Sequence, residues 1–379
     1  MGLNIPFGRW FMSRSFYFLL FVLVMSMLLP FACGPKSSPS APGLALLEFI
    51  PSATPSSTST ATNTPTTTPS PTSTATATPT ATLNPIVGAV WNRTTSSAAF
   101  PARACHLGLV FNNKMWVIAG EDSSGGRLND VWDSTDGATW NEATTAAAFG
   151  PRLSPGGLVY NNKMWVIGGE SNGVTDLSDV WNSTDGSTWY PATTTAAFGK
   201  RSNGSYLVFN SKMWVIGGWN SAIGFLGDTW YSSDGSNWNQ ATASAAFGPR
   251  QWHSSVVYNN KMWVIGGEDN TGSERNDVWY SMDGMIWTRA TASAAFTPRV
   301  GHSSLVFDNQ MWVIGGFNFY NNYNEAWYSS DGVNWTQATA SAAFNGRNSH
   351  ASLVFNSEMW VIAGRFNLTN YYNDVWESP

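Results

Sequence analysis

The sequence predicts an all-β fold: a six-bladed β-propeller with four antiparallel strands per blade, the last blade closed by an N-terminal strand. Three observations predict it. A Met-Trp-Val-Ile run recurs at Met115, Met164, Met213, Met262, Met311 and Met359, in steps of 49 residues with a last step of 48. Each copy carries an Asp-Val-Trp-like element further on, from Asp130-Val131-Trp132 to Asp374-Val375-Trp376. Aromatic residues make up 14% of the chain and charged residues only 11%, which suits sheet units that bury apolar faces against their neighbours.

The strands of a repeat can be placed in order. A short apolar run such as Ser304-Leu305-Val306-Phe307 suits an inner strand buried on both faces. Asn161-Asn162 and its copies form the hairpin turn into the Met-Trp-Val-Ile strand. A Gly-Gly pair follows (Gly168-Gly169, Gly217-Gly218, Gly266-Gly267, Gly315-Gly316), or Ala-Gly at Ala119 and Ala363. The Asp-Val-Trp strand comes third. Asp-Gly, as in Asp136-Gly137, then reads as a tight hairpin into a fourth strand that carries Trp140. The sixth copy lacks that fourth strand, and Val87-Gly88-Ala89-Val90-Trp91-Asn92 has its form. The N-terminal segment is therefore expected to pair into the last blade and leave no long open edge. Eighteen of the 21 Trp fall on the repeat pattern and read as packing. Trp10, Trp219 and Trp252 do not.

A period near 49 with Gly-Gly and a Trp in each strand resembles the kelch repeat, over residues 88–379. The resemblance implies a kelch-type propeller similar to the central domain of galactose oxidase. The Ala-Gly copies depart from the usual pattern without changing the strand count.

Ahead of the repeats, Arg9 and Arg14 precede an apolar run, residues 16–29, followed by Pro30-Phe31-Ala32-Cys33. This reads as a secretory signal over residues 1–32. As a helix the run would span about 21 Å, short of the roughly 30 Å of a hydrocarbon core. Ala32-Cys33 resembles the end of a bacterial lipobox, which implies lipidation at Cys33. Pro30 and Phe31 depart from that motif, and ordinary signal cleavage is the alternative. Residues 33–84 are mostly Thr, Pro, Ser and Ala, too poor in apolar side chains for a core, and read as a disordered stalk. The propeller occupies residues 85–379. A secreted protein at a bacterial cell surface or outer membrane follows, anchored in the membrane through Cys33 and monomeric.

Net charge is −5, with no basic run beyond the N-terminus, so nucleic acid has no electrostatic footprint. Antiparallel strands place the loops between second and third strands, and those between repeats, on one face. Variation concentrates there, where binding usually resides. The between-repeat loops carry Arg103, Arg152, Arg201, Arg250, Arg299 and Arg347. These could form a cationic mouth for a carboxylate, or pair with carboxylates such as Glu121, Glu170 and Glu268. Off-pattern aromatics on the same face are the other candidates: Trp219, Trp252, Phe317, Phe319, Tyr320, Tyr323, Phe366 and Tyr371, with Phe225 and Tyr372. With nearby Asn they could stack a sugar or anchor a peptide, or simply pack the loops.

All four His (His106, His253, His302 and His350) stand three residues after an Arg of that series. Because they lie a blade apart, no metal site is expected. No catalytic residue or cofactor is assigned. Cys105 has no partner for a galactose-oxidase-like copper centre. Ser-x-Asp-Gly-x-x-Trp resembles the sialidase Asp-box, which implies a structural turn only. A non-catalytic recognition module for glycan or protein is the expected function. The alternative is a secreted carbohydrate-active enzyme, epimerase- or oxidase-like, working at the Arg-lined mouth.

Overall fold

The computed structural model describes residues 87–172, 175–367 and 369–379. The expected signal peptide, Cys33 and the stalk lie outside the described residues. Among the described residues every element is a strand, and the strands pair antiparallel in sheets, most of them four-stranded. The described residues form an all-β propeller.

The fourth repeat illustrates the unit. Ser254–Tyr258, Lys261–Asp269, Glu274–Ser281 and Thr288–Thr291 pair in sequence order. The first turn is two residues, Asn259 and Asn260, with φ of 46° and 54°. A type I′ hairpin needs two left-handed residues, which Asn tolerates. The connection between third and fourth strands is longer than the tight Asp-Gly hairpin expected. Ser281 Oγ accepts the Gly284 amide at 2.8 Å, and Asp283 Oδ1 accepts the amides of Met285 (2.8 Å) and Ile286 (2.9 Å). Trp287 ends this turn instead of sitting in the fourth strand, and donates its Nε1 to the Gly284 carbonyl at 3.1 Å. Gly284 has φ +75°, and a Cβ there would stand 2.1 Å from the Trp214 ring of the preceding repeat.

Period-two alternation explains why the second strand is apolar on both faces. Met262 and Val264 point to the preceding repeat and pack with Trp214, Ile216 and Phe247. Trp263 and Ile265 point the other way and pack with Met311 and Val313 of the next. Each Met-Trp-Val-Ile run thus supplies two cores. At the N-terminal end, Asn92–Thr95 pairs with Asn370–Ser378 of the last repeat, with Asn92 opposite Glu377 and Arg93 opposite Trp376.

Candidate functional site

Of the two readings of the arginines on the variable-loop face, a cationic mouth or pairing with carboxylates, the structure has the pairing, but with carboxylates other than Glu121, Glu170 and Glu268. Arg103, Arg152, Arg201, Arg250, Arg299 and Arg347 are each at most 2% exposed. Arg103 donates to both oxygens of Asp130, at 2.7 and 2.6 Å, and to the Ala119 carbonyl at 3.0 Å. Ala119, with φ +59°, opens the bulge that interrupts the pairing of second and third strands. Its copies, Gly168, Gly217, Gly266, Gly315 and Ala363, aim their carbonyls at the corresponding arginines.

The carboxylate partners are Asp179, Asp228, Asp277, Glu325 and Asp374. Each aspartate also accepts the indole N–H of its Asp-x-Trp neighbour, as Asp130 does from Trp132 at 2.7 Å. Each guanidinium lies over a phenylalanine three residues earlier, Arg103 over Phe100 at 5.5 Å. Bidentate pairing, found for the five aspartates, suits the planar fork of Arg, and with the single Arg299–Glu325 contact it commits all six side chains to their own repeats. Glu121, Glu170 and Glu268 are held by other groups: Arg127 bridges Glu121 and Glu170 at 2.9 Å each, and Gln251 donates to Glu268 at 2.9 Å.

The candidate aromatics divide into two sets. Tyr323 covers Arg299 at 4.4 Å and Tyr372 covers Arg347 at 4.6 Å, so both pack on the buried arginines. Trp219 meets Phe225 edge-on at 5.0 Å. Phe317 is bridged to Val300 and Asn322, and Phe366 faces Asn370 at the end of its hairpin. Tyr371 donates to Glu121 Oε1 at 2.5 Å and accepts from Arg365 at 3.2 Å; burial pushes its hydroxyl up to about 12. Phe319 and Tyr320, by contrast, are 49% and 90% exposed at the tip of a loop, and Ile223 in the third repeat's loop is 74% exposed.

The structure brings Trp252 to the axis. A cavity of about 150 Å³ is lined there by two tiers, with one residue from each repeat in each tier. The upper tier is Cys105, Ser154, Asn203, Trp252, Gly301 and Ser349. All six have positive φ, between 48° and 61°. Backbone amides link them from repeat to repeat: Cys105 to the Ser349 carbonyl (2.9 Å), Ser154 to Cys105 (2.9 Å), Trp252 to Asn203 (3.0 Å), Gly301 to Trp252 (3.1 Å) and Ser349 to Gly301 (2.8 Å). Sequence reasoning missed this column. Its signal was available: it is the position two residues after each Arg, where near-identical repeats carry Cys, Ser, Asn, Trp, Gly and Ser.

The lower tier holds the four histidines with Pro155 and Gly204. His253, His302 and His350 place Nε2 at 2.9, 2.8 and 2.8 Å from Ser205, Ser254 and Ser303 of the preceding repeat. Burial, reinforced by the neighbouring arginine, pulls His106, His253 and His302 down to about 3 and His350 well below its ordinary value. Ala351 of the sixth repeat stands where the third, fourth and fifth repeats have the serine, and neither nitrogen of His106 has a partner among the described residues. Three of these neutral imidazoles are each bonded to a serine, and no group of three or more His, Cys, Asp or Glu among the described residues could hold an ion.

The turns on the opposite face also vary. In the fourth repeat Met282, Met285 and Ile286 are 63%, 54% and 73% exposed, where other copies carry mostly Ser, Thr, Ala or Asn.

A family model described as the KLHDC2/KLHL20/DRC7 Kelch-repeats domain matches residues 205–378. No curated protein matches the chain.

Proposed function

The chain belongs to the kelch-repeat family, and from that premise we propose that it is a closed, six-bladed propeller acting as a non-catalytic recognition module for a protein or glycan ligand. Closure is supported by the pairing of residues 92–95 into the last sheet and by the Cys105 to Ser349 amide bond between first and last repeats. Recognition is assigned to the face with the variable loops. One observation carries that assignment: Phe319 and Tyr320 stand exposed at the tip of a loop on a scaffold whose other aromatics are mostly packed. Aromatic side chains offer large contact area at a small entropic cost, which makes them anchors for peptides and sugars alike.

The chain is further proposed to be secreted and held at a bacterial surface through Cys33 and the Thr/Pro-rich stalk. Mass spectrometry of the mature N-terminus tests this: a diacylated Cys33 is the expected result, and an unmodified N-terminus beyond residue 33 refutes it. For recognition, the full-length mature protein is applied to glycan and peptide arrays. Binding that is lost in the Phe319→Ala/Tyr320→Ala variant is the expected result. Binding that survives in that variant but disappears in Met285→Ser/Ile286→Thr moves the site to the opposite face, the second reading that the exposed Met282, Met285 and Ile286 favour.

A further inference from the structure

The recognition reading above can be taken one step deeper, to the chemistry of the partner. We propose that the axial mouth receives the cationic head of a lysine or arginine side chain from a protein partner, held against Trp252 and Asn203, with the Glu268 carboxylate linked to Asn203 through Gln251 as its counter-charge.

The first argument is conformational. Six residues occupy the upper tier in the left-handed region, and Gly301 shows the unstrained choice for it. Trp252 holds a bulky side chain there at φ +52°. For such a residue this backbone is an outlier, and outliers of this kind concentrate at ligand sites. Trp252 is also the sole aromatic among the cavity-lining residues other than the histidines, and indole is the best ring for stacking on a cation.

The second argument is hydrogen bonding. Trp252 donates its amide to the Asn203 carbonyl, so Asn203 stands beside it. The Asn203 side chain gives its N–H to Gln251 at 3.2 Å, and its Oδ1 accepts from no group among the described residues. His106 lines the same cavity at 8% exposure with both ring nitrogens unpartnered. Buried polar atoms are nearly always satisfied, so the orphaned amide oxygen marks a place where a donor is to be supplied from outside, and the neutral His106 imidazole, with one lone pair and one N–H both unpartnered among the described residues, calls for a further donor and an acceptor.

The third argument is charge. Gln251 links Asn203 to Glu268, whose carboxylate accepts that amide, and Glu274 accepts the Phe319 amide. Neither glutamate has an ion-pair partner among the described residues. The loop-face arginines are committed, Arg127 to Glu121 and Glu170, Arg275 to Asp269, and Arg365 beside Glu121, while Lys200 stands exposed beside Arg201 and pairs with no carboxylate among the described residues. A carboxylate ligand would meet Glu268 unopposed, whereas a cation would complete the set. The cavity of about 150 Å³ corresponds to roughly five waters at about 30 Å³ each, room for a guanidinium or ammonium and its first methylenes.

The test uses the full-length protein and three probes: N-acetyl-arginine amide, N-acetyl-lysine amide and the neutral isostere N-acetyl-citrulline amide. Binding is read by calorimetry and by the indole N–H resonance of Trp252. Binding of the two cations, with citrulline roughly tenfold weaker or more, is expected. Trp252→Gly and Glu268→Gln should each weaken the cations by roughly tenfold, and Gly relieves the backbone instead of disturbing it. Equal binding of citrulline, no binding of either cation, or full binding by Trp252→Gly overturns the proposal. Free arginine binding as well as the blocked amide would mark a small-molecule site and also overturn it. Array binding that is lost in Phe319→Ala/Tyr320→Ala but unchanged in Trp252→Gly and Glu268→Gln removes the cation site and leaves the recognition reading standing; array binding unchanged by all of these variants removes both.

Discussion

At the scale of single residues, the six arginines show how one side chain can organise a repeat. Arg250 satisfies the Gly266 carbonyl at the bulge, pairs with both oxygens of Asp277 and covers Phe247. Asp277 in turn orients Trp279 through a 2.7 Å bond. Removing one partner of a buried ion pair leaves the other charge desolvated and alone, which costs about 3–5 kcal/mol. Arg250→Ala is therefore expected to lower stability by that amount in urea unfolding. The double change Arg250→Met/Asp277→Leu should lose less, because no buried charge remains. A single-variant loss below about 1 kcal/mol, the range of exposed pairs, would show that the pair is exposed in solution. The sequence already held this pairing, since Arg and carboxylate recur 27 residues apart in five repeats and 26 in the other. Proximity along the chain pointed to Glu121, Glu170 and Glu268 instead, and only the bulge, which turns the third strand's carboxylate inward, decides between them.

The histidines give a second residue-scale prediction. Their folded values, about 3 for His106, His253 and His302, lie below the ordinary 6.5 because burial disfavours the charged ring. Between those limits the unfolded chain binds protons that the folded chain does not. The stability they contribute is thus whole above pH 6.5 and is lost as pH falls toward 3, at up to about 1.4 kcal/mol per pH unit for each ring. Burial raises Glu268 and Glu274, which works in the opposite sense at the acid end. The difference between the protein and a His302→Asn variant isolates one ring: its unfolding free energy should fall less steeply between pH 6.5 and 5. Parallel pH profiles would mean that His302 is already charged in the folded state.

At the scale of elements, the strands were legible where one physical cause decides them. The Met-Trp-Val-Ile run is apolar on both faces because Met262 and Val264 serve one core and Trp263 and Ile265 the next. The Asn-Asn turns followed from their need for two left-handed residues. The Asp-Gly turns were read as too short, because the contact that shapes them is tertiary: Gly284 is needed less for a hairpin than to let the Trp214 ring of the preceding repeat come close. Two glycines with the same backbone separate these causes. Gly284 has φ +75° and a Cβ position 2.1 Å from Trp214, while Gly272 has φ +76° and nothing nearer than Glu268 Oε1 at 3.9 Å. Gly272→Ala should cost about 1 kcal/mol, the strain of the left-handed region alone. Gly284→Ala adds overpacking of typically 1–3 kcal/mol. Thermal unfolding of the two variants checks this, and equal losses would mean that the indole gives way freely. The axial mouth was illegible for a related reason: its residues come one from each repeat, so no local motif gathers them.

At the scale of the whole molecule, the question is whether the N-terminal segment is a structural member or a detachable arm. Trp91 occupies the place that Trp189 holds in the second repeat. Both are 4% exposed. Trp91 donates to the Gly88 carbonyl at 3.0 Å and meets Phe344 edge-on at 5.2 Å; Trp189 donates to Gly186 at 2.9 Å and meets Phe149 at 5.1 Å. The difference lies in the chain: Trp189 is tied to its sheet by a short turn, whereas Trp91 is joined to the last sheet only through pairing across most of the repeat region. Truncating a buried Trp to Ala costs about 3–5 kcal/mol where the surroundings are rigid. If residues 92–95 close the ring, Trp91→Ala and Trp189→Ala should lose equal stability, each in one cooperative transition with the same denaturant slope. A detachable arm would relax around the truncation, so that Trp91→Ala would lose less than half as much. It would also unfold in two steps and expose the Asn370–Ser378 edge to pairing between molecules. Unfolding curves for the two variants, with light scattering recorded alongside, distinguish these outcomes. The first would place the stability of the propeller in the meeting of its two ends rather than in any one repeat.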